Sequence, residues 1–276
     1  MMNQLSIANQ SVTLPNGVSL AYYDSLDANK PVVVLLHGYC GSSAYWEQVV
    51  ASLGEEARII ALDLRGHGRS SDQTGTEETN AMELYADDLA AMLDQLKITN
   101  ACVLGHSLGG YIALAFAERY SERLSAFGLV HSTSLPDGDA AKENRDNAVA
   151  AIKKDGVASF VEGLVPKLYS PDNKLAMAEQ VERSIAIGKG TSSAGAIGAA
   201  KGMKVRPDRT EVLKQTALPL LLLAGEQDQI IPAERTFIVE GSHVTQVKLA
   251  DAGHMGMIEQ PEAFSEAVLG FIKKLG

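Results

Sequence analysis

The chain has 276 residues, 46% hydrophobic and 21% charged, which fits one soluble globular domain of ordinary-to-large size and leaves no case for disorder, collagen-like repeats or coiled coil. Its 24 basic and 34 acidic residues give a net charge of −10, which argues against nucleic acid or an anionic membrane surface as partner, because both are polyanions. Two cysteines, Cys40 and Cys102, are too few for a disulfide framework in a chain this long.

Met1 to Gln10 carries neither a basic region nor an apolar run of signal length. The longest apolar stretch, Ala217 to Ala224, falls short of the roughly 18–20 residues that cross a bilayer. A cytoplasmic protein is expected. Ser11–Leu14 and Val18–Tyr23 flank Pro15-Asn16-Gly17, a turn signal, so an antiparallel hairpin is predicted to open the chain. Val32–Leu36, Arg58–Leu62, Ala101–Leu104 and Ala126–Val130 are short apolar runs of the kind buried on both faces of a parallel sheet. Between them Ala44–Leu53, Met82–Leu96 and Leu108–Tyr120 carry apolar residues at spacings of three and four, the period of a helix.

The alternation stops after Val130. From Ser132 the pattern predicts only helices, at Ala140–Lys154, Gly156–Leu164, Asn173–Ile187 and Ala194–Met203. A helical block this long exceeds what one crossover requires and reads as a lid; ordinary crossover helices are the other reading. The predicted division is a core of residues 1–131 and 209–276 with an inserted cap at 132–208. Alternation then resumes with strands Leu218–Ala224 and Val244–Leu249 and helices Ala233–Glu240 and Pro261–Lys274. Strands alternating with helices predict an α/β fold, a mostly parallel eight-stranded sheet covered on both faces.

The sharpest local signal is Gly105-His106-Ser107-Leu108-Gly109-Gly110, a G-x-S-x-G pattern lying between a predicted strand and a predicted helix. A turn this tight strains the serine backbone and crowds the chain, which glycines tolerate. It also sets Ser107 at a helix N-terminus, where free N–H groups favour developing negative charge. A serine nucleophile needs a base and an acid to orient it, in the chain order Ser, Asp or Glu, His on such a scaffold. Only His131, His243 and His254 follow Ser107. His131 precedes any acid on a later strand, and His243 sits in a polar turn. His254, between Gly253 and Met255-Gly256 just after the last strand, is the chosen base. The acid belongs in Gly225-Glu226-Gln227-Asp228, where Asp228 is the choice and Glu226 the alternative. Asp251 reads as a turn residue.

These motifs resemble the α/β-hydrolase fold family, and together they span about 200 residues of core. His37-Gly38-Tyr39 is similar to its oxyanion loop, Asp63-Leu64-Arg65-Gly66-His67-Gly68-Arg69-Ser70 to its D-x-R-G-x-G-x-S turn, and Gly105 to Gly110 to its nucleophile elbow. Gly225 to Asp228 looks like the acid loop and Gly253-His254 the base loop. Gly195 to Arg209 is similar to the return from cap to core in small single-cap esterases and enol-lactonases. The resemblance implies an oxyanion hole from the backbone N–H groups of Tyr39 and Leu108. It makes Asp63 a ligand of backbone N–H groups in its own turn. Candidates to line the substrate pocket are His37, Gly38, Trp46, His106 and Met255; for His37 a structural role is preferred, and for Trp46 core packing weighs equally.

A serine at 107 argues against family branches with an aspartate nucleophile. No zinc-ligand spacing, dinucleotide fingerprint or complete phosphate loop is present, and Gly188-Lys189-Gly190-Thr191 lacks the residues such a loop needs, so neither metal nor cofactor is expected. The expected activity is a carboxylesterase-like serine hydrolase acting on a small ester or lactone. Carbon–carbon bond hydrolysis and acyl transfer, including perhydrolysis, use the same triad. A ligand receptor with little turnover is the rival from outside catalysis.

Overall fold

The structure, a computed structural model, describes residues 5–72 and 78–275. The start of the N-terminal stretch read for a leader lies outside the described residues. Eight strands form one sheet: β1 Gln10–Thr13, β2 Ser19–Asp24, β3 Val32–Leu36, β4 Arg58–Leu62, β5 Ala101–His106, β6 Leu124–Val130, β7 Leu220–Gly225 and β8 Val244–Leu249. Their order is β1-β2-β4-β3-β5-β6-β7-β8. β1 pairs antiparallel with β2, and β2 with β4; every other pair is parallel. β3, β5, β6 and β7 bury almost every side chain, as continuous apolar runs require, whereas β8 at the edge alternates with exposed polar residues.

The core helices are α1 Val50–Leu53, α2 Met82–Gln95, α3 Leu108–Arg119, then α8 Thr210–Gln215, α9 Ala233–Thr236, α10 Gly256–Glu259 and α11 Pro261–Ile272. α2, α3 and α8 pack together, as do α1, α10 and α11, so the sheet is covered by two separate helical layers. Two predicted helices are shorter than their patterns. Ala44–Leu53 is a 3-10 turn at Ser43–Trp46 followed by the single turn of α1, because Ser42 caps the first piece and Val49 breaks from helical repetition at φ −114°. Ala233–Glu240 stops at Thr236, whose Oγ1 donates to Ser132 O. A β-branched residue with a backbone partner outside the helix favours that stop.

Between β6 and α8 the chain runs through α4 Asp139–Leu164, α5 Pro171–Ala176, α6 Ala178–Gly188 and α7 Ser193–Val205. The expected break near residue 155 is a kink at Gly156, at φ 81°, inside α4. The helix predicted over Asn173–Ile187 is two helices, divided at Met177. This insert is stitched to the rest of the chain. At its base Arg206, paired with Asp137 inside the insert at 2.6 Å, lies 3.9 Å over the Tyr111 ring of the core, and Arg209 just past the insert binds Glu118 and Glu83. Further out, Ser192 N–H donates to Gly66 O (2.9 Å) and Asn80 N–H to Gly198 O (3.0 Å). A Cβ on Gly195 would stand 2.4 Å from Gly66 O, so the two backbones touch only because both residues are glycine. Among the described residues no helix is long and apolar enough to cross a membrane.

Candidate active site

The C-terminal ends of β5, β7 and β8 lie on one edge of the sheet, and the segments leaving them carry Ser107, Asp228 and His254. Ser107 sits between β5 and α3 at φ 51°, ψ −112°, a conformation costly for a residue with a side chain. The flanking glycines show why the turn closes. A Cβ on Gly105 would lie 2.0 Å from Gly109 O, and one on Gly109 would lie 2.3 Å from Leu36 O. The elbow is held from outside as well: Ser107 N–H donates to Val130 O, and Ser132 Oγ donates to Ser107 O at 2.8 Å.

The oxyanion-loop segment lies against this turn. A Cβ on Gly38 would stand 3.3 Å from Ser107 Cβ and 2.6 Å from His106 Nδ1, so only glycine lets the loop come so near. Among the described residues the backbone N–H groups of Tyr39 and Leu108 have no protein acceptor. The loop is supported by His37, whose Nδ1 donates to Gly38 O (2.7 Å) and whose Nε2 accepts from Leu64 N–H (2.9 Å). Both nitrogens are used and the ring is fully buried, so His37 braces the loop rather than facing a pocket. Asp63 accepts from Ser43 N–H (2.7 Å) and Arg69 N–H (2.9 Å), joining the loop to the glycine-rich turn. The side chain of Tyr39 has a role of its own: its hydroxyl donates to Ala196 O of the insert, and its ring meets Phe160 edge-on.

Asp228 and His254 are both buried, and His254 Nδ1 lies 2.7 Å from Asp228 Oδ2, a donor–carboxylate hydrogen bond. Oδ1 of the same carboxylate accepts from Ile230 and Ile231 N–H at 2.8 and 2.9 Å. The alternative acid, Glu226, is half-exposed and pairs with Lys248 instead. A third imidazole joins the pair. His131 Nδ1 stands 3.3 Å from Asp228 Oδ2. Gly225 N–H donates to the same nitrogen at 3.1 Å, so His131 Nδ1 sits between that N–H and the Asp228 carboxylate. Burial alone would raise the Asp228 carboxyl, but the charge of His254 and the hydrogen bonds from both imidazoles outweigh it and hold the group far below the usual carboxylate range.

Chain order sets His131 aside as the base, but it says nothing of what else touches the acid. Its position one residue past β6, between the strands that carry Ser107 and Asp228, was the available signal. His131, Asp228 and His254 also form a cluster whose ligand atoms all lie within 4.8 Å. The 2.7 Å spacing of His254 and Asp228 is a hydrogen bond's, shorter than the roughly 3.3 Å between two ligands of a tetrahedral zinc ion.

The remaining pocket candidates are buried side chains. His106 Nε2 donates to His254 O at 2.8 Å, which holds the base loop from beneath. Trp46 is fully buried, edge-on to His106 and tilted against Phe264, and Met255 is fully buried in the same core. Both are packing residues here, because neither side chain reaches a surface a substrate could touch.

Four of the five buried histidines give the fold a pH dependence. Burial lowers the pKa of His37, His106 and His131, and brings His67 down to about 4. The unfolded chain binds these protons near pH 6.5, the folded chain only at lower pH, so stability falls as pH drops through that window. His67 alone removes about 3 kcal/mol between pH 7 and pH 4. The depressed Asp228 carboxyl acts in the same direction below about pH 4. The melting temperature is therefore expected to fall steeply from pH 7 to pH 4.5, and His67→Gln to flatten the slope; a constant melting temperature would contradict the assignment.

Comparison with known proteins agrees with this architecture. Residues 31–261 match the alpha/beta hydrolase fold family. A thermophilic esterase from Thermogutta terrifontis superposes with a TM-score of 0.87 at 30% identity, covering 96% of this chain and 98% of its own. 3-Oxoadipate enol-lactonase 2 from Acinetobacter baylyi is 25% identical over 93% of this chain and 94% of its own. A bifunctional esterase/perhydrolase from Acinetobacter calcoaceticus is 31% identical over 81% of this chain and 83% of its own.

Proposed function

The chain belongs to the alpha/beta hydrolase fold family and is a hydrolase of small molecules, and from that premise we propose that it cleaves a carboxylic ester or lactone through an acyl-enzyme on Ser107. The observation that carries this reading is the strained Ser107 elbow on the same sheet edge as a buried, hydrogen-bonded Asp228–His254 pair. His254 Nδ1 donates to Asp228, which leaves Nε2 as the basic nitrogen. It takes the Ser107 proton as the oxygen attacks the substrate carbonyl. Asp228 fixes the ring and stabilises its charged form. The tetrahedral oxyanion is received by the N–H groups of Tyr39 and Leu108, each such donor contributing roughly 10²–10³ in rate. His254 returns the proton to the leaving alcohol, and water repeats the sequence to release the acid. The helical insert, residues 132–208, acts as the cap over this edge and meets the oxyanion loop through Tyr39.

The test is covalent labelling with a fluorophosphonate followed by peptide mapping, together with a chain-length series of p-nitrophenyl esters. Label on Ser107 and a preference for short acyl chains are expected; label elsewhere, or none, would refute the reading. The esterase/perhydrolase relative favours a second outcome, transfer of the acyl group to peroxide. Adding hydrogen peroxide to the ester assay and measuring peracid separates that from hydrolysis alone.

A further inference from the structure

The base loop is held by a carboxylate that the reaction does not use. Glu259, at the end of α10, is buried at 5% exposure and has no ion-pair partner among the described residues. Its Oε1 accepts from Gly253 N–H and Met255 N–H, both at 3.0 Å, the two residues flanking His254. Its Oε2 accepts from Ser170 N–H and Asn173 Nδ2, both at 2.9 Å, from the inserted segment. One carboxylate thus takes four hydrogens, two from each side of a seam. The N–H between them, that of His254, donates to Leu168 O at 2.7 Å, again in the insert. Every backbone N–H from 253 to 255 is therefore fixed by Glu259 or by the insert, and the His254 carbonyl is fixed by His106. A Cβ on Gly253 would stand 2.4 Å from Ser170 N, so the seam closes only around glycine.

We infer that Glu259 is a positioning residue for the base: it sets the backbone of the His254 loop and ties that setting to the seating of the insert. This rests on the reading of His254 as base. A carboxylate suits the place because it only accepts. An amide in the same volume would turn hydrogens of its own toward two of the four N–H donors and open one side of the seam. A base displaced by a fraction of an ångström loses rate, and a 1 Å misplacement costs about 100-fold. The loss falls on proton transfer, so it appears in kcat, whereas a role in folding alone would lower stability and leave kcat intact for each folded molecule.

Glu259→Gln is the test, assayed with p-nitrophenyl acetate on folded enzyme whose active sites are counted by prolonged fluorophosphonate labelling. The expected result is a fall in kcat of about 10- to 100-fold with KM changed by less than about threefold. The downfield proton resonance of the His254–Asp228 hydrogen bond is expected to broaden or shift. A kcat within twofold of wild type, with that resonance unmoved, overturns the inference. If Glu259→Gln does not fold, Asn173→Ala removes a partly exposed amide that donates both to Glu259 Oε2 and to Asp251 O, leaving the other three donors to the carboxylate in place. It is expected to lower kcat about two- to fivefold, and an unchanged kcat overturns the inference there too. Loss of activity in Ser107→Ala beside normal activity in Glu259→Gln removes this inference alone; retained activity in Ser107→Ala removes the base itself and both readings with it.

Discussion

Ser107→Ala is expected to lower kcat for p-nitrophenyl acetate by about 10⁴- to 10⁶-fold while the chain stays folded. The size follows from what is lost. Without the hydroxyl there is no acyl-enzyme, and the remaining catalysis is what the free N–H groups of Tyr39 and Leu108 give to attack by water. Ser107→Gly separates chemistry from strain. It should be as inactive as the alanine variant, yet melt at a higher temperature, because glycine adopts φ 51° without the penalty of about 1–3 kcal/mol that a side chain carries there. Wild-type turnover in either variant would move the nucleophile elsewhere. A glycine variant no more stable than alanine would show that the turn is not strained.

Asp228→Asn is expected to cost about 10⁴-fold in kcat with little change in overall structure. The amide keeps an oxygen for Ile230 and Ile231 N–H, since those bonds come to Oδ1. The NH2 group then occupies the Oδ2 position and presents hydrogens to His254 Nδ1. The imidazole must answer with a lone pair at Nδ1, which moves its proton to Nε2, where a base needs none. His131 widens the effect: its Nδ1 also faces that position, so one substitution changes the surroundings of two imidazoles. Nitrogen-detected NMR of the two rings checks the tautomers directly, and a kcat within tenfold of wild type would show that Asp228 does not orient the base.

The fold was legible wherever burial on both faces forced continuous apolar runs. β3, β4 and β8 begin and end where Val32–Leu36, Arg58–Leu62 and Val244–Leu249 do. Helices were less well bounded, because apolar spacing reports which residues face inward, and a 3-10 turn buries Ala44, Tyr45 and Trp46 as well as a helix would. At the site, the residues placed by backbone constraint could be found from their glycines. Gly38, Gly105, Gly109 and Gly253 each stand where a Cβ would strike a neighbouring chain. Tertiary partners were not visible. Nothing local to Glu259 shows that it gathers N–H groups from residues 170 and 253, separated by 83 positions along the chain. His131 was hidden for a different reason: a rule about sequence order names roles, and a second imidazole on the acid has no role in that rule.

The stitching of the insert bears on how such chains change over generations. An insert joined only at its two ends could be exchanged between relatives as a cassette, and new specificity would arrive by recombination. Here the insert supplies the carbonyls of Leu168 and Ala196 and the donors of Ser170 and Asn173 to loops that flank the reacting atoms. A transplanted cassette that lacked those groups would leave the base loop and the oxyanion loop short of partners, whatever pocket it brought. Point substitution within the existing helices keeps those partners in place, so the core loops and the insert are expected to vary together.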